Sequence, residues 1–411
     1  MKHTVPAPTS RIDLIDALRG SALLGILLLH SIEHWDFLRN PESSAPLIAK
    51  LDGIVHTGAF FLFGGKAYGI FAMMFGVSFF IILDRWSQRG IDVRGRFLWR
   101  LALLGLFGYV HAILYCGDIL LILAILGLPL VFIHRWSNRL LLWVAALFLL
   151  QIPSLWESGR VLLGGYVPPQ PRHWAVYGQL FDTFAHGTFA EVSALNAGRG
   201  QLGRILWTLE TGRYTQMMGL FVIGFLLGRS RIFESAARSS GLAQRALLWG
   251  GLGFVLAFPV TLAIGQLIPD GMPRYVVSNL ASAYLNLAQL AVWVGGFIWL
   301  YQRASLQSLL RLLVPYGRMS LTCYVTQGLI GIPLFYGYGF ALYQYLGSFW
   351  SILLGCVIFA VQLALAHLWL RHFTYGPLEW IWRSLTFFSF ATPFRRTGPL
   401  VAATLPAAQM R

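Results

Sequence analysis

Charge is what this chain has least of. Only 11% of its 411 residues are Asp, Glu, Lys or Arg, and 57% are hydrophobic. A soluble globular domain carries about 25% charged residues, so that class is excluded and an integral membrane protein is implied. Acidic groups are scarcer still: 16 Asp and Glu stand against 31 Lys and Arg, for a net charge of +15. Such an excess can mark a nucleic-acid binder, but the only lysines are Lys2, Lys50 and Lys66, and no basic run is dense enough for a polyanion surface. Cys116, Cys323 and Cys356 form no CxxC pair and are odd in number, so neither a disulfide framework nor a cysteine metal site is expected. Short alternating strands, the signature of a membrane barrel, are missing as well.

What is present is a series of apolar runs near the ~20 residues that a helix needs to cross the hydrocarbon. Ten can be drawn: 14–35, 65–83, 97–115, 119–133, 140–156, 214–227, 246–268, 276–301, 316–338 and 348–370. An all-α polytopic membrane protein is therefore predicted. Met1 to Ile32 has the basic start and apolar run of a signal peptide, but no small-residue cleavage site follows at once, so it reads as an uncleaved first span. Placing the N-terminus in the cytoplasm puts most arginines inside: Arg11 and Arg19, then Arg85, Arg89, Arg94, Arg96 and Arg100, then Arg135 and Arg139, Arg229 to Arg245, Arg303 to Arg318, and the C-terminal tail. That is the bias of short cytoplasmic loops, and it predicts both termini inside. The expected organisation is helices 1–5 over 1–156, an outer loop over 157–213, and helices 6–10 with an interfacial helix over 214–411. A second outer loop is expected over 36–64. No internal repeat stands out.

Polar residues at membrane depth are costly, about 2.5 to 3.5 kcal/mol each on insertion scales, and they mark sites. The stretch RIDLIDALRGSALLGILLLHSIEH carries Asp16 and Arg19 at one end and His30, Glu33 and His34 at the other. His30 and His34 are four apart and on a helix would share a face. His111 and Asp118 fall at the same outer depth, with Gly117 permitting a sharp turn between helices. A histidine that takes a proton from a hydroxyl, oriented by a carboxylate, is the minimum for acyl transfer, so His30, His111 and Asp118 are the catalytic candidates. Glu33, His34 and Lys66, which could pair with Asp118 or meet an anionic acceptor, are substrate-binding candidates, with Tyr324 and Gln327 of GRMSLTCYVTQ. Interhelical glue is the ordinary role of such hydroxyls and amides. On the inner side Arg19 and Arg100 lie within helices and could hold the phosphates of coenzyme A. HSIEH also matches the H-x-x-E-H pattern of inverted zinc peptidases, but without a third ligand or a suitable scaffold, and no metal is expected.

Several blocks in order, IDALRG…LLGILLLH, KAYGIFAMMFGVSF, GYVHAILYCGDILLILAILGLPL, GRMSLTCYVTQGLIGIPLFYGYG and GPLEWIWRSLTF, resemble the YeiB-type family of bacterial inner-membrane proteins, whose C-terminal half is a domain of unknown function. More distantly, the chain is similar to a superfamily of transmembrane acyltransferases that includes the lysosomal heparan-glucosaminide acetyltransferase and sugar O-acetyltransferases. The YeiB-type pattern has Asn where this chain has His30, a departure towards the histidine of the sugar O-acetyltransferases. The resemblance implies a multi-pass protein of the bacterial cytoplasmic membrane that moves an acetyl or other acyl group from cytoplasmic acyl-CoA (acetyl-CoA) to an extracytoplasmic glycan or similar acceptor. The bilayer and the extracytoplasmic acceptor are its expected partners, and a homodimer is compatible with the pattern. A transporter is the alternative, and it would place its charges at helix breaks near mid-membrane.

Overall fold

A computed structural model describes residues 12–41, 45–88, 90 and 93–396. Arg11, Arg89 and both chain ends lie outside these residues. Eighteen α-helices and no β-strand are present among the described residues. The first group is α1 (Asp13–Ile32), α2 (Pro46–Phe63), α3 (Ala67–Ser87), α4 (Val93–Leu114), α5 (Leu120–Ile133), α6 (Asn138–Leu149) and α7 (Ile152–Gly164). Short helices follow, α8 (Arg172–His186), α9 (Phe189–Leu195) and α10 (Gln201–Glu210). The last group is α11 (Arg213–Arg229), α12 (Ala236–Leu267), α13 (Met272–Tyr301), α14 (Ala304–Arg311), α15 (Leu313–Arg318), α16 (Ser320–Phe335), α17 (Ser348–His372) and α18 (Pro377–Phe387).

Each of the ten expected runs lies largely on helix, but 140–156 is split between α6 and α7 at Gln151, φ 49°, and 316–338 between α15 and α16. Among the described residues, seven stretches are long and apolar enough to cross a membrane: 13–32, 46–87, 94–114, 138–164, 236–267, 272–301 and 348–372. Leu120–Ile133 and Ser320–Phe335 are apolar but shorter. The segment expected as an outer loop over 36–64 is largely α2, which runs into α3 through a break at Gly64 and Gly65, the latter at φ +75°. The 157–213 segment is likewise mostly helical. Pro129, Pro259 and Pro333 sit inside helices.

Helix α1 is the centre. Fifteen of its 20 residues are buried, and it packs against α3, α15, α16 and α17. Small residues set those distances, because helices in a bilayer gain by close backbone packing rather than by escaping water. A Cβ on Gly317 would overlap the Asp16 carbonyl, and one on Gly20 the Leu313 carbonyl. Helices α3 and α11 cross in the same way through Gly76 and Gly224. One core runs from Leu14 to Phe387, so elements on both sides of the 157–213 segment share it. By contrast, α12 turns Trp249, Val255, Leu256 and Leu267 outwards, an apolar exterior suited to lipid.

On the side of His30, α8 and α10 are joined at Glu210, whose carboxylate accepts from His173 Nδ1 at 2.7 Å, His173 N at 3.1 Å and Arg172 Nε at 3.1 Å. Burial pushes this carboxyl up, yet these donors hold it below its ordinary value. Its stabilising contribution is therefore complete above the unfolded pKa, about 4, and is lost as pH falls through the lower folded value. Amide protection factors in α8 and α10, corrected for the intrinsic pH dependence of exchange, should fall as pH is lowered through that range, and Glu210→Gln should remove the dependence.

Candidate functional site

Helix α1 ends at Ile32, and His34, Trp35, Asp36 and Leu38 then adopt positive φ angles of 49°, 59°, 66° and 57°. Runs of left-handed non-glycine residues are strained and are held in place only by surrounding structure. This turn brings Asp36 back beside His30 and Glu33. His30 Nδ1 lies 3.7 Å from Glu33 Oε2 and 3.8 Å from Asp36 Oδ1. The Tyr115 hydroxyl is 2.8 Å from both His30 Nδ1 and Asp36 Oδ2, and Arg204 of α10 reaches Asp36 Oδ2 at 3.0 Å. Burial raises the Asp36 carboxyl, but the contacts with His30, Arg204 and Tyr115 outweigh it and hold the group well below the usual carboxylate range. Asp36 is thus a fixed negative charge. His30, Glu33 and Asp36 present ligand atoms within 4.8 Å of one another, a set able to hold a cation, although the Arg204 guanidinium already supplies positive charge there.

Beside this group, His111 donates from Nδ1 to Asp118 Oδ1 at 2.8 Å, and both side chains are buried. Asp118 Oδ2 accepts from Leu121 N at 3.2 Å, which fixes the carboxylate at the start of α5. With Nδ1 tethered, Nε2 is the acceptor nitrogen. It faces Gly328 of α16 and has no hydrogen-bond partner among the described residues. Tyr324 lies against the His111 ring, 5.5 Å between centroids, and its hydroxyl accepts from Ile119 N at 3.1 Å. Gly117 serves close approach, since a Cβ there would strike Asp36 and Tyr115.

Three sequence-based candidates stand elsewhere. His34 does not share the face of His30, because the helix has ended: it is fully buried, stacks on Phe335 at 4.8 Å, and meets Ser351 Oγ at 3.1 Å and the Arg39 carbonyl. The paired-histidine zinc geometry of HSIEH is lost with it. Lys66 does not reach Asp118. Its ammonium donates to Phe60 O at 3.1 Å, Asn286 Oδ1 at 3.2 Å and Gln289 Oε1 at 3.1 Å, at the α2–α3 break. Gln327 donates to the Tyr316 hydroxyl at 2.6 Å, which donates to Gln362 at 2.8 Å. That chain ties α15, α16 and α17 and leaves Tyr324 alone at the site.

At the opposite end of α1 a cavity of about 320 Å³ is lined by Arg19, Arg85, Arg100, Arg318 and Arg383, with Asp16 and Glu379. Arg19 bonds Asp16 Oδ1 and Ser78 Oγ, each at 2.6 Å, and Arg100 lies 3.5 Å over the Trp382 ring. Glu379 closes one wall by accepting from Leu321 N, Thr322 N and the Thr322 hydroxyl at 2.6–3.1 Å, which caps α16. Deeper walls are Phe71, Phe75, Leu104, Leu120 and Leu123. Arg19 and Arg100 thus line the same cavity. Arg318 and Arg383 come from the C-terminal half and were not singled out from the sequence. Tyr115, Asp36 and Arg204 were missed too, but one spacing was legible. Arg100 to His111 repeats Arg19 to His30, each eleven positions, or about three turns and 16 Å along one helix face.

Residues 227–389 match the family described as "Protein of unknown function (DUF418)". The chain is 24% identical to the uncharacterized protein YxaH of Bacillus subtilis, with 94% of this chain and 97% of the relative covered. It is 25% identical to the uncharacterized protein YeiB of Escherichia coli, covering 95% and 98%. An uncharacterized 39.9 kDa protein from the amylase 3' region of Bacillus acidopullulyticus is also 25% identical, over 92% and 94%. No solved structure gives a significant match. The YeiB-type resemblance is therefore borne out, and the chain is a YeiB-like helical protein with several membrane-type spans.

Proposed function

With a YeiB-like membrane protein as the premise, we propose that this chain is a transmembrane acyltransferase. It would take an acyl group from acyl-CoA at the arginine cavity and pass it to a hydroxyl acceptor, such as an envelope glycan, on the His30 side. The observation that carries the reading is the doubled spacing: α1 and α4 each put an arginine into the cavity and, about 16 Å further along, a histidine into the polar cluster. A pantetheine arm is suited to that reach. The arginine bias towards the Arg19 end supports a cytoplasmic donor in a bacterial inner membrane. Guanidinium groups fit phosphates in number and shape.

In the transfer, the acceptor hydroxyl gives its proton to His111 Nε2 as its oxygen attacks the thioester carbonyl. Asp118 holds the Nδ1 proton and steadies the imidazolium. Collapse breaks the carbon–sulfur bond, and the departing thiolate takes the proton from Nε2. His30, with Glu33, Asp36, Tyr115 and Arg204, positions the acceptor. Calorimetry on purified protein tests the donor half. Coenzyme A should bind, and Arg318→Ala with Arg383→Ala should weaken it at least tenfold, as loss of charge-assisted phosphate contacts requires. Absence of coenzyme A binding would sink the proposal.

A second reading, a transporter, draws on one feature. The break at Gly64 and Gly65 sets buried Lys66 against the middle of α13, a geometry common where half-helices line a transport path.

A further inference from the structure

The acyl-transfer reading leaves one requirement unassigned, a donor for the negative charge that develops on the thioester oxygen. The evident polar groups of the cluster are already engaged: Tyr115 between His30 and Asp36, Arg204 on Asp36 and the Cys116 carbonyl, and the Asp118 carboxylate on His111 and Leu121. Two ring nitrogens are not. Trp35 Nε1 and His111 Nε2 are buried, at 1% and 3% residue exposure, and neither has a partner among the described residues. A buried indole N–H without an acceptor is unfavourable and calls for a reason.

Both rings lie against the same face of α16. A Cβ on Gly328 would overlap His111 Nε2, and one on Gly331 would overlap the Trp35 ring at Nε1. Positions three apart on a helix are neighbours, with about 5–6 Å between their Cβ sites. The Tyr115 ring stands edge-on to both, at 5.8 Å from each. Trp35 also stacks on His30 at 5.4 Å, and its own φ of 59° belongs to the strained turn after α1. Backbone strain is thus maintained at the residue that sets an unsatisfied donor against the glycine face of α16.

We infer that the Trp35 indole N–H is the oxyanion donor of the transfer, working opposite His111 Nε2 across the glycine face of α16. The inference rests on the acyl-transfer reading. As the acceptor oxygen bonds to the thioester carbon, its proton passes to His111 Nε2 and the carbonyl π pair becomes an oxyanion that accepts from Trp35 Nε1–H. Re-formation of the carbonyl breaks the carbon–sulfur bond, and the thiolate leaves with the proton from His111. Trp35 is neutral before and after. The two glycines are specificity elements, since any side chain at either would occupy the space of these rings.

Thiol release from acetyl-CoA, with glycerol as probe acceptor, is measured on detergent-solubilised protein beside calorimetric coenzyme A binding and thermal unfolding. Trp35→Phe keeps the ring but removes the N–H. Its kcat should fall by about 10²–10³, the loss seen when one oxyanion donor is removed, with KM for acetyl-CoA, coenzyme A affinity and melting temperature unchanged. Trp350→Phe, an exposed ring on α17, should behave as the native protein. Gly331→Ala gives a second route, because displacing the indole should lower kcat while leaving coenzyme A binding intact. A Trp35→Phe protein with native kcat overturns the inference and leaves the acyltransferase standing. One that loses kcat together with affinity or melting temperature overturns it in favour of a packing role. A native protein that binds no coenzyme A and releases no thiol removes both.

Discussion

His111→Ala is expected to reduce thiol release from acetyl-CoA by about 10²–10⁴-fold, the contribution of a positioned general base, while coenzyme A affinity stays native. The separation follows from position. His111 lies eleven positions along α4 from Arg100 (100 to 111), so the arginine cavity proposed for the donor phosphates lies about 16 Å from the altered ring. Asp118→Asn should give a related loss, because an amide can accept from Nδ1 but cannot steady the imidazolium. His30→Ala should act differently. His30 already meets Tyr115, Glu33 and Asp36, so its removal disturbs the acceptor side and should raise the acceptor KM more than it lowers kcat at saturation. Steady-state kinetics on the three variants, with calorimetry for coenzyme A, separates these outcomes. Native turnover in His111→Ala would remove the histidine–aspartate pair from the chemistry.

The largest effect on stability is expected from Gly224→Val. At the α3–α11 crossing a Cβ at 224 would overlap the Met73 carbonyl, and one at 76 would overlap the Phe221 carbonyl. Both obstacles are backbone, which cannot rotate away as a side chain can. Overpacking of a core by flexible groups costs about 1–3 kcal/mol, and separating two helix backbones should exceed that. Met73, Phe75, Phe79 and Phe221 pack at this crossing, and Phe75 and Phe79 also line the arginine cavity. Gly224→Val protein should therefore melt earlier and lose coenzyme A binding in the same step. Gly251→Val on α12, where a Cβ meets open space, is the matched control. Equal melting of the two variants would refute the close-crossing account.

Class, helix placement and half of the proposed site were legible along the chain. Low charge and long apolar runs force helices in a membrane-like setting, because only helices and closed barrels satisfy the backbone there. His111 with Asp118, and Arg19 with Arg100, were legible because each partner has a fixed depth on its own helix, and depth is a matter of counting residues. Residues beyond a helix end were not. His34 was expected on the face of His30, but four left-handed residues after Ile32 turn it into the bundle and bring Asp36 round in its place. Lys66 pairs with Asn286 and Gln289 rather than Asp118, since sequence distance says nothing about which of several helices lies beside a given one.

Composition and spacing by themselves determined that this is a bundle of apolar helices with polar ends, and how far along its helix each polar group lies. Tertiary structure alone decided which groups meet. Arg318 and Arg383 join Arg19 and Arg100 around one cavity, and Arg204 comes from α10 to Asp36; at the centre, the crossings of α1 with α15 and of α3 with α11 are set by glycines that let backbones touch. Depth is a property of one helix and can be read from it. Neighbourhood is a property of packing between helices, which depends on side-chain shapes far apart in the chain.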